Sequence, residues 1–439
     1  MPTRAEFTIE TLGPCEIDSP LASGQTGQLG EEGFVNDDAR ILVDDRIHTV
    51  GQIDDAHQVP SLALAGPRRR IFFQPAETCA AVVTCGGLCP GINDVIRGLV
   101  MVSHYRYGIK RFLGFRYGYQ GLARANTESI VPLNPQVVSD IHVKGGTMLG
   151  SSRGAPPPEE IVDRLAGEQV DILYVIGGDG TLRGGMAIVE EVRRRGLPIS
   201  VVGVPKTIDN DIEYIDSSFG FNTAVSQALE VIDCAHVEAI GAPNGIGLVK
   251  LMGRNSGSVA CHATLASSDV NFALIPEIPF SLDGPSGLLA CLKHRLQSRH
   301  HAVIVVAEGA GQHLFDQESV QRDASGNPKL QDIGTLLAAR IKSYCHEQGV
   351  ELNLKYIDPS YTLRGVPANA ADSIYCWRLA QNAVHAAMCG KTGIVVGEYH
   401  GRFIHLPMRK AIERSRCVDA CGEVWLSVLE STGQPPVIG

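Results

Sequence analysis

Short apolar runs that stop at glycine-rich turns alternate along this chain with longer segments of helical period, and the clearest example lies between residues 170 and 212. Residues 171–176, DILYVI, are too short for a helix and partly β-branched, which fits a strand buried on both faces of a parallel sheet. Gly177, Gly178, Asp179, Gly180 and Thr181 follow, and a helical pattern runs on to residue 195. Such a turn offers backbone N–H groups and the positive end of a helix at the carboxyl edge of the sheet, where open α/β sheets bind anions. Residues 199–204 predict a second buried strand that delivers Lys206, Thr207, Asp209 and Asp211 to the same edge. Asp179, Asp209 and Asp211 would then form a carboxylate cluster, which costs stability unless a cation is shared among them. The glycine turn alone equally fits an ordinary strand-to-helix connection. With the carboxylates added, the pattern points to phosphoryl transfer with Mg²⁺.

The remaining pattern repeats this grammar. Residues 79–84 predict a buried strand, 85–93 a second glycine turn containing Gly86 and Gly87, and 95–106 a helix that Asn93 or Asp94 can cap. A strand follows at 110–117, then a basic, hydroxyl-rich loop, KGGTMLGSSR, ending at Arg153. Beyond residue 212, helices at 222–237, 259–265, 288–297 and 333–347 alternate with strands at 247–251, 272–275, 303–307 and 352–357. A helix at 370–388 and a hairpin at 392–407, turning at His400 and Gly401, complete the chain. Strands alternating with helices predict an α/β fold with mainly parallel sheets. Residues 1–75, rich in Asp, Glu, Gly and Pro, read as an extension that packs on the body or on another subunit.

Composition narrows the functional classes. A chain of 439 residues suggests two or three lobes, and 44% apolar with 20% charged residues is ordinary for a soluble globular protein. A net charge of -10 argues against nucleic acid as a partner. The absence of a long apolar run argues against a membrane span, and MPTRAEFTIETLG lacks the apolar centre of a secretory signal, so a cytoplasmic protein is expected. Twelve cysteines include two close pairs, Cys85/Cys89 and Cys417/Cys421, with no histidine partner nearby. Buried free thiols are expected rather than zinc.

Seven segments, in order, resemble the 6-phosphofructokinase family: TCGGLCPGINDVIRG at 84–98, GGTMLGSSR at 145–153, GGDGT at 177–181, PKTIDND at 205–211, MGRNSG at 252–257, AEGAG at 307–311 and DPSYTLRG at 358–365. GGDGT is shared with lipid and NAD kinases, whereas PKTIDND together with MGR is specific. The resemblance implies two Rossmann-like lobes with the active site in the cleft between them. Residues 76–221 plus 365–413 would form an ATP-binding lobe, and 222–364 plus 414–439 a fructose 6-phosphate-binding lobe. It implies Asp209 as the proton acceptor, Thr207 as a donor to the transferring phosphoryl group, Asp211 as an orienting carboxylate and Asp179 as the Mg²⁺ ligand. Gly86, Gly87, Arg153, Gly178, Asp179, Gly180 and Thr181 would bind ATP. Met252, Gly253, Arg254, Glu308, Lys355, Tyr361 and Arg364 would join Thr207 and Asp209 in binding the sugar phosphate, with Arg254 also neutralising transition-state charge. Where bacterial members donate an arginine across a subunit boundary, the matching place here falls near Gly245. A homodimer or homotetramer is implied, with ATP and fructose 6-phosphate as partners and no membrane.

Within the family two positions bear on the donor. Pyrophosphate-using members carry Asp after GGD, and here Gly180 leaves room without adding charge. Lys206 is shared with those members and can hold a phosphate of either donor. The pair Gly180 and Lys206 resembles the plant and trypanosomal ATP-dependent branch. A pyrophosphate-dependent phosphofructokinase and a catalytically silent, sugar-phosphate-binding regulatory subunit stand as alternatives.

Overall fold

A computed structural model describes residues 4–22, 33–46, 59–123, 126, 129–315 and 330–439. The chain divides into two compact units. One comprises Met1–Thr207, Ile212–Gly220 and Gly365–Ser415, and the other Ile208–Asp211, Phe221–Arg364 and Arg416–Gly439.

The first unit is built on a nine-stranded sheet. Its centre is five parallel strands in the order Ile394–Tyr399, Ser200–Pro205, Ile172–Gly177, Cys79–Thr84 and Arg111–Phe115. Every residue of the three middle strands is buried, which is why they read as continuous apolar runs rather than alternating ones. Antiparallel strands close both edges: Ile130–Pro132 at one, and Arg402–Pro407, Ser61–Leu64 and Arg40–Leu42 at the other. The predicted hairpin turns at His400 and Gly401, as its left-handed residues require. The extension is part of this body. Arg40–Leu42 and Ser61–Leu64 join the large sheet, Glu10–Thr11 pairs with Lys391–Thr392, and Ile17–Asp18 pairs with Arg70–Ile71.

The topology places the ligand-binding edge. From Cys79–Thr84 the chain moves outward to Arg111–Phe115, then returns to Ile172–Gly177 on the other side and proceeds to Ser200–Pro205. Connections therefore diverge between Cys79–Thr84 and Ile172–Gly177, and the crevice beyond their carboxyl ends is the switch point of an open α/β sheet. Both glycine turns lie there. The helices Ile92–Val102 and Ala370–Met388 pack so closely that a Cβ on Gly98 would come within 2.6 Å of Ala380.

In the second unit four parallel strands run in the order Phe272–Leu274, His301–Ala307, Gly245–Leu251 and Asn353–Ile357. Alternate residues of Gly245–Leu251 serve two cores: Val249 and Leu251 face helices Phe221–Ile240 and Ser258–Ser267, and Ile246 and Leu248 face Leu288–Arg299 and Ile333–Glu347. Among the described residues no helix is long and apolar enough to cross a membrane. Of the two close cysteine pairs, Cys85 and Cys89 are buried thiols, whereas Cys417 and Cys421 are exposed, contrary to the expectation of burial.

Candidate active site

At the switch point of the first unit, backbone does most of the construction. Gly178 is the N-cap of the helix Asp179–Arg195, so the positive end of that helix faces the turn. Thr181 lies beneath it, only 6% exposed, its N–H donating to the Gly178 carbonyl at 2.9 Å and its own carbonyl accepting from Tyr119 Oη at 2.7 Å. The accessible positions are therefore Gly178, Asp179 and Gly180. Nothing lies within 4 Å of a Cβ built on Gly180. The Asp179 carboxylate is exposed and 3.2 Å from Arg183 Nε, and Arg183 also donates to the Ile412 carbonyl at 2.8 Å.

Lys206 ties the two glycine turns together. Its N–H donates to the Gly177 carbonyl at 3.0 Å, and its side chain, almost wholly buried, carries the ammonium to 2.8 Å from the Gly87 carbonyl. The loop ending at Arg153 is fastened to the same place: Gly86 N–H donates to Ser152 O at 3.1 Å and Ser151 Oγ to Gly86 O at 2.6 Å. Arg153 itself is exposed. Asn93 does not cap the following helix, whose N-cap is Gly91. Its side chain instead accepts from Met148 N–H at 2.9 Å and donates to Lys144 O at 3.0 Å, holding that loop beside the turn. Asp94 does not cap it either, and burial raises its carboxyl above the usual range, opposed by a hydrogen bond with Ser373.

The segment after Ser200–Pro205 passes from one unit to the other. Thr207 belongs to the first, its carbonyl accepting from Ser218 Oγ at 2.6 Å. Asp209 and Asp211 belong to the second and are partly exposed, flanking Asn210, which adopts φ 51°. Arg416, which the motif reading passes over, backs this turn: its guanidinium donates to the Asn210 carbonyl at 3.0 Å and its N–H to the Asp211 carbonyl at 2.7 Å. Asp179 belongs to the first unit and Asp209 and Asp211 to the second. Among the described residues no three acidic, histidine or cysteine side chains gather to hold a metal unaided.

The second unit assembles charge at the carboxyl ends of Gly245–Leu251 and His301–Ala307. Gly253 sits at φ 135°, a conformation other residues rarely adopt, and a Cβ there would lie 2.5 Å from Ser256 O. The turn it permits places Met252 and Arg254 beside the 308–311 loop, where Gly309 N–H donates to Gly253 O at 3.0 Å. Glu308 is held by its own N–H on Leu251 O at 2.9 Å. Burial raises the Glu308 carboxyl above the usual range, and the charges of Arg254 and Lys250 oppose that rise. Arg364 stacks over the ring of Tyr361 at 4.8 Å, both on the turn after Asn353–Ile357. Lys355 projects exposed from that strand two residues before its end and is not part of the stacked pair. Gly245 opens its strand at the amino end, where any Cβ would collide with the Ala239 carbonyl, so no longer side chain fits there.

Lys250 is the charged residue that sequence reasoning missed here. It bridges Asp332 Oδ1 at 3.1 Å and Asp358 Oδ2 at 2.8 Å, and burial, which would lower its amine, is outweighed by these bonds, so its basicity rises. Asp332, also the N-cap of Ile333–Glu347, is lowered to about 2; burial works against that shift and is overcome by hydrogen bonds from Thr335 and Lys250. The available signal was a lone lysine inside an otherwise apolar strand.

The profile described as Phosphofructokinase matches residues 79–387. The chain is 46% identical to a protein of Amycolatopsis methanolica named ATP-dependent 6-phosphofructokinase, over 99% of this chain and 96% of that protein. A protein of the same name from Borreliella burgdorferi is 46% identical over 98% and 97%. ATP-dependent 6-phosphofructokinase 7 of Arabidopsis thaliana is 50% identical over 85% and 77%. Among solved structures, a pyrophosphate-dependent phosphofructokinase from Nitrosospira multiformis superposes with a TM-score of 0.66 at 19% identity, covering 83% of this chain and 93% of that one. At that identity the likeness is one of fold.

Proposed function

The chain belongs to the phosphofructokinase family, and from that premise we infer that it transfers the γ-phosphoryl group of ATP to the 1-hydroxyl of fructose 6-phosphate, giving fructose 1,6-bisphosphate in glycolysis. Within the chain, the observation that carries the choice of donor is the open space at Gly180, with nothing within 4 Å of a Cβ there. A nucleotide α-phosphate needs that room, and an aspartate in its place would set charge against charge.

On this reading the first unit holds the donor. Free N–H groups of a helix start and the Lys206 ammonium are suited to phosphate oxygens, and Gly86 and Gly87 let backbone approach them closely. The exposed Asp179 carboxylate fits Mg²⁺, a hard cation that takes one or two carboxylates and keeps several waters, provided Arg183 releases it. Bound there, the ion supplies neutralising charge at the phosphates. Arg153 lies on the loop fastened to the same turn and would contact the nucleotide phosphates.

The second unit holds the acceptor. A primary sugar hydroxyl is not ionised at neutral pH, so Asp209 accepts its proton as the bond to phosphorus forms. Thr207 donates to the transferring group, Asp211 orients the site, and Arg254 offsets developing charge. Ionised Glu308 accepts from sugar hydroxyls, with Met252 and Gly253 lining the same place. Arg364, preorganised by stacking on Tyr361, binds the 6-phosphate, and Lys355 adds a cation from the neighbouring strand. We place the enzyme in the cytoplasm as a homodimer or homotetramer. Initial rates with fructose 6-phosphate against ATP and pyrophosphate in parallel test the reading: ATP should support turnover and pyrophosphate should not, and the reverse would make this a pyrophosphate-dependent enzyme.

A further inference from the structure

Ile208–Asp211, four residues of the second unit, lie in sequence between stretches of the first, and they carry the Asp209 and Asp211 carboxylates. The chain enters the second unit for the last time at Arg416, and there it runs beside that turn. An antiparallel bridge between Ile212 and Ser415 sets the register, and Arg416 N–H donates to the Asp211 carbonyl at 2.7 Å. The Arg416 guanidinium donates through Nε at 3.2 Å and Nη2 at 3.0 Å to the Asn210 carbonyl. Asn210 is the left-handed residue of the turn, at φ 51°, and such a conformation persists where the surroundings fix it. A cation on the carbonyl does so more firmly than a neutral donor. The next two residues grip the loop that carries Arg254. Cys417 Sγ donates to Asn255 O at 3.6 Å, and Val418 N–H donates to Glu277 Oε1 at 2.8 Å. The two oxygens of that carboxylate accept from Gly257 N–H at 3.0 and 3.1 Å, at the N-cap of the helix Ser258–Ser267, where negative charge is favoured. Val418 packs against the same apolar core as Met252, and the helix Glu423–Thr432 adds Trp425 and Val428 to it.

We propose that Arg416 is a positioning residue for phosphoryl transfer, holding the turn that carries Asp209 in the frame of the loop that carries Arg254. This role rests on the reading of Asp209 as the proton acceptor and of Arg254 as the cation that offsets developing charge. Two groups that act on one transition state must keep a fixed separation, and a displacement of about 1 Å costs up to about 100-fold in rate. Residues 416–418 supply that constraint, since three consecutive positions bond to both loops. The guanidinium bonds to Asn210 end on backbone, so replacing Arg416 removes none of the side chains assigned to ATP or the sugar phosphate. Its loss should therefore be felt in kcat, through Asp209, and not in the binding of either substrate.

Initial rates of the full-length enzyme test this role. Arg416→Ala should lower kcat about 10- to 100-fold, with KM for fructose 6-phosphate and for ATP within about two-fold of the parent values. In the Asp209→Ser enzyme the same change should lower kcat by no more than about two-fold, because a residue that acts through Asp209 then has nothing left to position. Where Arg416→Ala does not accumulate as folded protein, Arg416→Gln, which keeps an amide donor for the Asn210 carbonyl, replaces it: its smaller loss of kcat should vanish in the same way in Asp209→Ser. A kcat within a few-fold of the parent for Arg416→Ala, a loss carried by KM, or losses that multiply in the double variant would each overturn the positioning role. Failure of the catalytic reading shows separately, in Asp209→Ser alone: a parental kcat there would remove the proton acceptor, and this role with it.

Discussion

Around Gly180 the first unit presents glycine, backbone and open space, whereas around Glu308 the second unit gathers Arg254, Lys250 and Arg364 about a half-buried carboxyl. Both regions lie at carboxyl ends of parallel strands, yet one offers open space and the other placed charge. The difference follows the ligands assigned to them. A polyphosphate carries its own charge and needs close approach by N–H groups, while a sugar offers hydroxyls that only fixed side chains can orient. The two regions should therefore fail differently: damage to the first should be donor-selective, and damage to the second acceptor-selective.

The largest effect expected is at Asp209. Asp209→Ser should lower kcat by about 10² to 10⁴ with little change in KM for either substrate, since a proton acceptor acts only as the bond forms. A kcat within a few-fold of the parent enzyme would remove Asp209 from that role. Next is Arg364→Ala, which loses a charge-assisted contact and should raise KM for fructose 6-phosphate about 10- to 100-fold while leaving KM for ATP alone. Equal rises in both would erase the distinction between the units.

Smaller effects separate the charges of the second unit from one another. Burial raises the Glu308 carboxyl, so its ionised form is lost at a higher pH than an ordinary glutamate's as the solution is acidified. KM for fructose 6-phosphate should climb on the acid side accordingly, and Glu308→Gln should start from a higher KM and show a flatter profile. An unchanged acid limb would assign it to another group. Lys250→Met leaves Asp332 and Asp358 facing each other without their cation. Both acids are partly solvated, so the cost should be about 1–2 kcal/mol in urea unfolding rather than that of a fully buried pair. Asp332, held near 2, contributes stability that is present above the ordinary carboxylate range and lost as pH falls toward 2. Loss of Lys250 should make that acid slope shallower, though not flat, because Thr335 still bonds the carboxylate.

What could be read from the chain is what is encoded locally. The buried strand read at 171–176 is Ile172–Gly177, the helix read at 333–347 is Ile333–Glu347, and the hairpin turns where His400 and Gly401 predict. Periodicity and turn chemistry act within a few residues, so these elements announce themselves. Lys250 meets Asp332 across 82 positions, and Arg416 reaches back 206 positions to Asn210. No local pattern records such partners. Asn93 shows the same limit on a smaller scale: its residue type fits a cap, yet the folded chain uses it to hold a loop 55 positions away.

The contrast between open space and placed charge rests most heavily on one position, and Gly180→Asp tests it directly. Gly180 is the second residue of its helix and faces nothing within 4 Å, so an aspartate fits, and a carboxylate at a helix start is itself stabilising. Any loss of activity would then report on the donor and not on folding. Repulsion of about 4 kcal/mol between charges 4 Å apart at an effective dielectric near 20 predicts a fall in kcat/KM for ATP of about a thousand-fold, with KM for fructose 6-phosphate unchanged. Unimpaired kinetics with ATP in Gly180→Asp would contradict the account, because the α-phosphate would then not pass this residue.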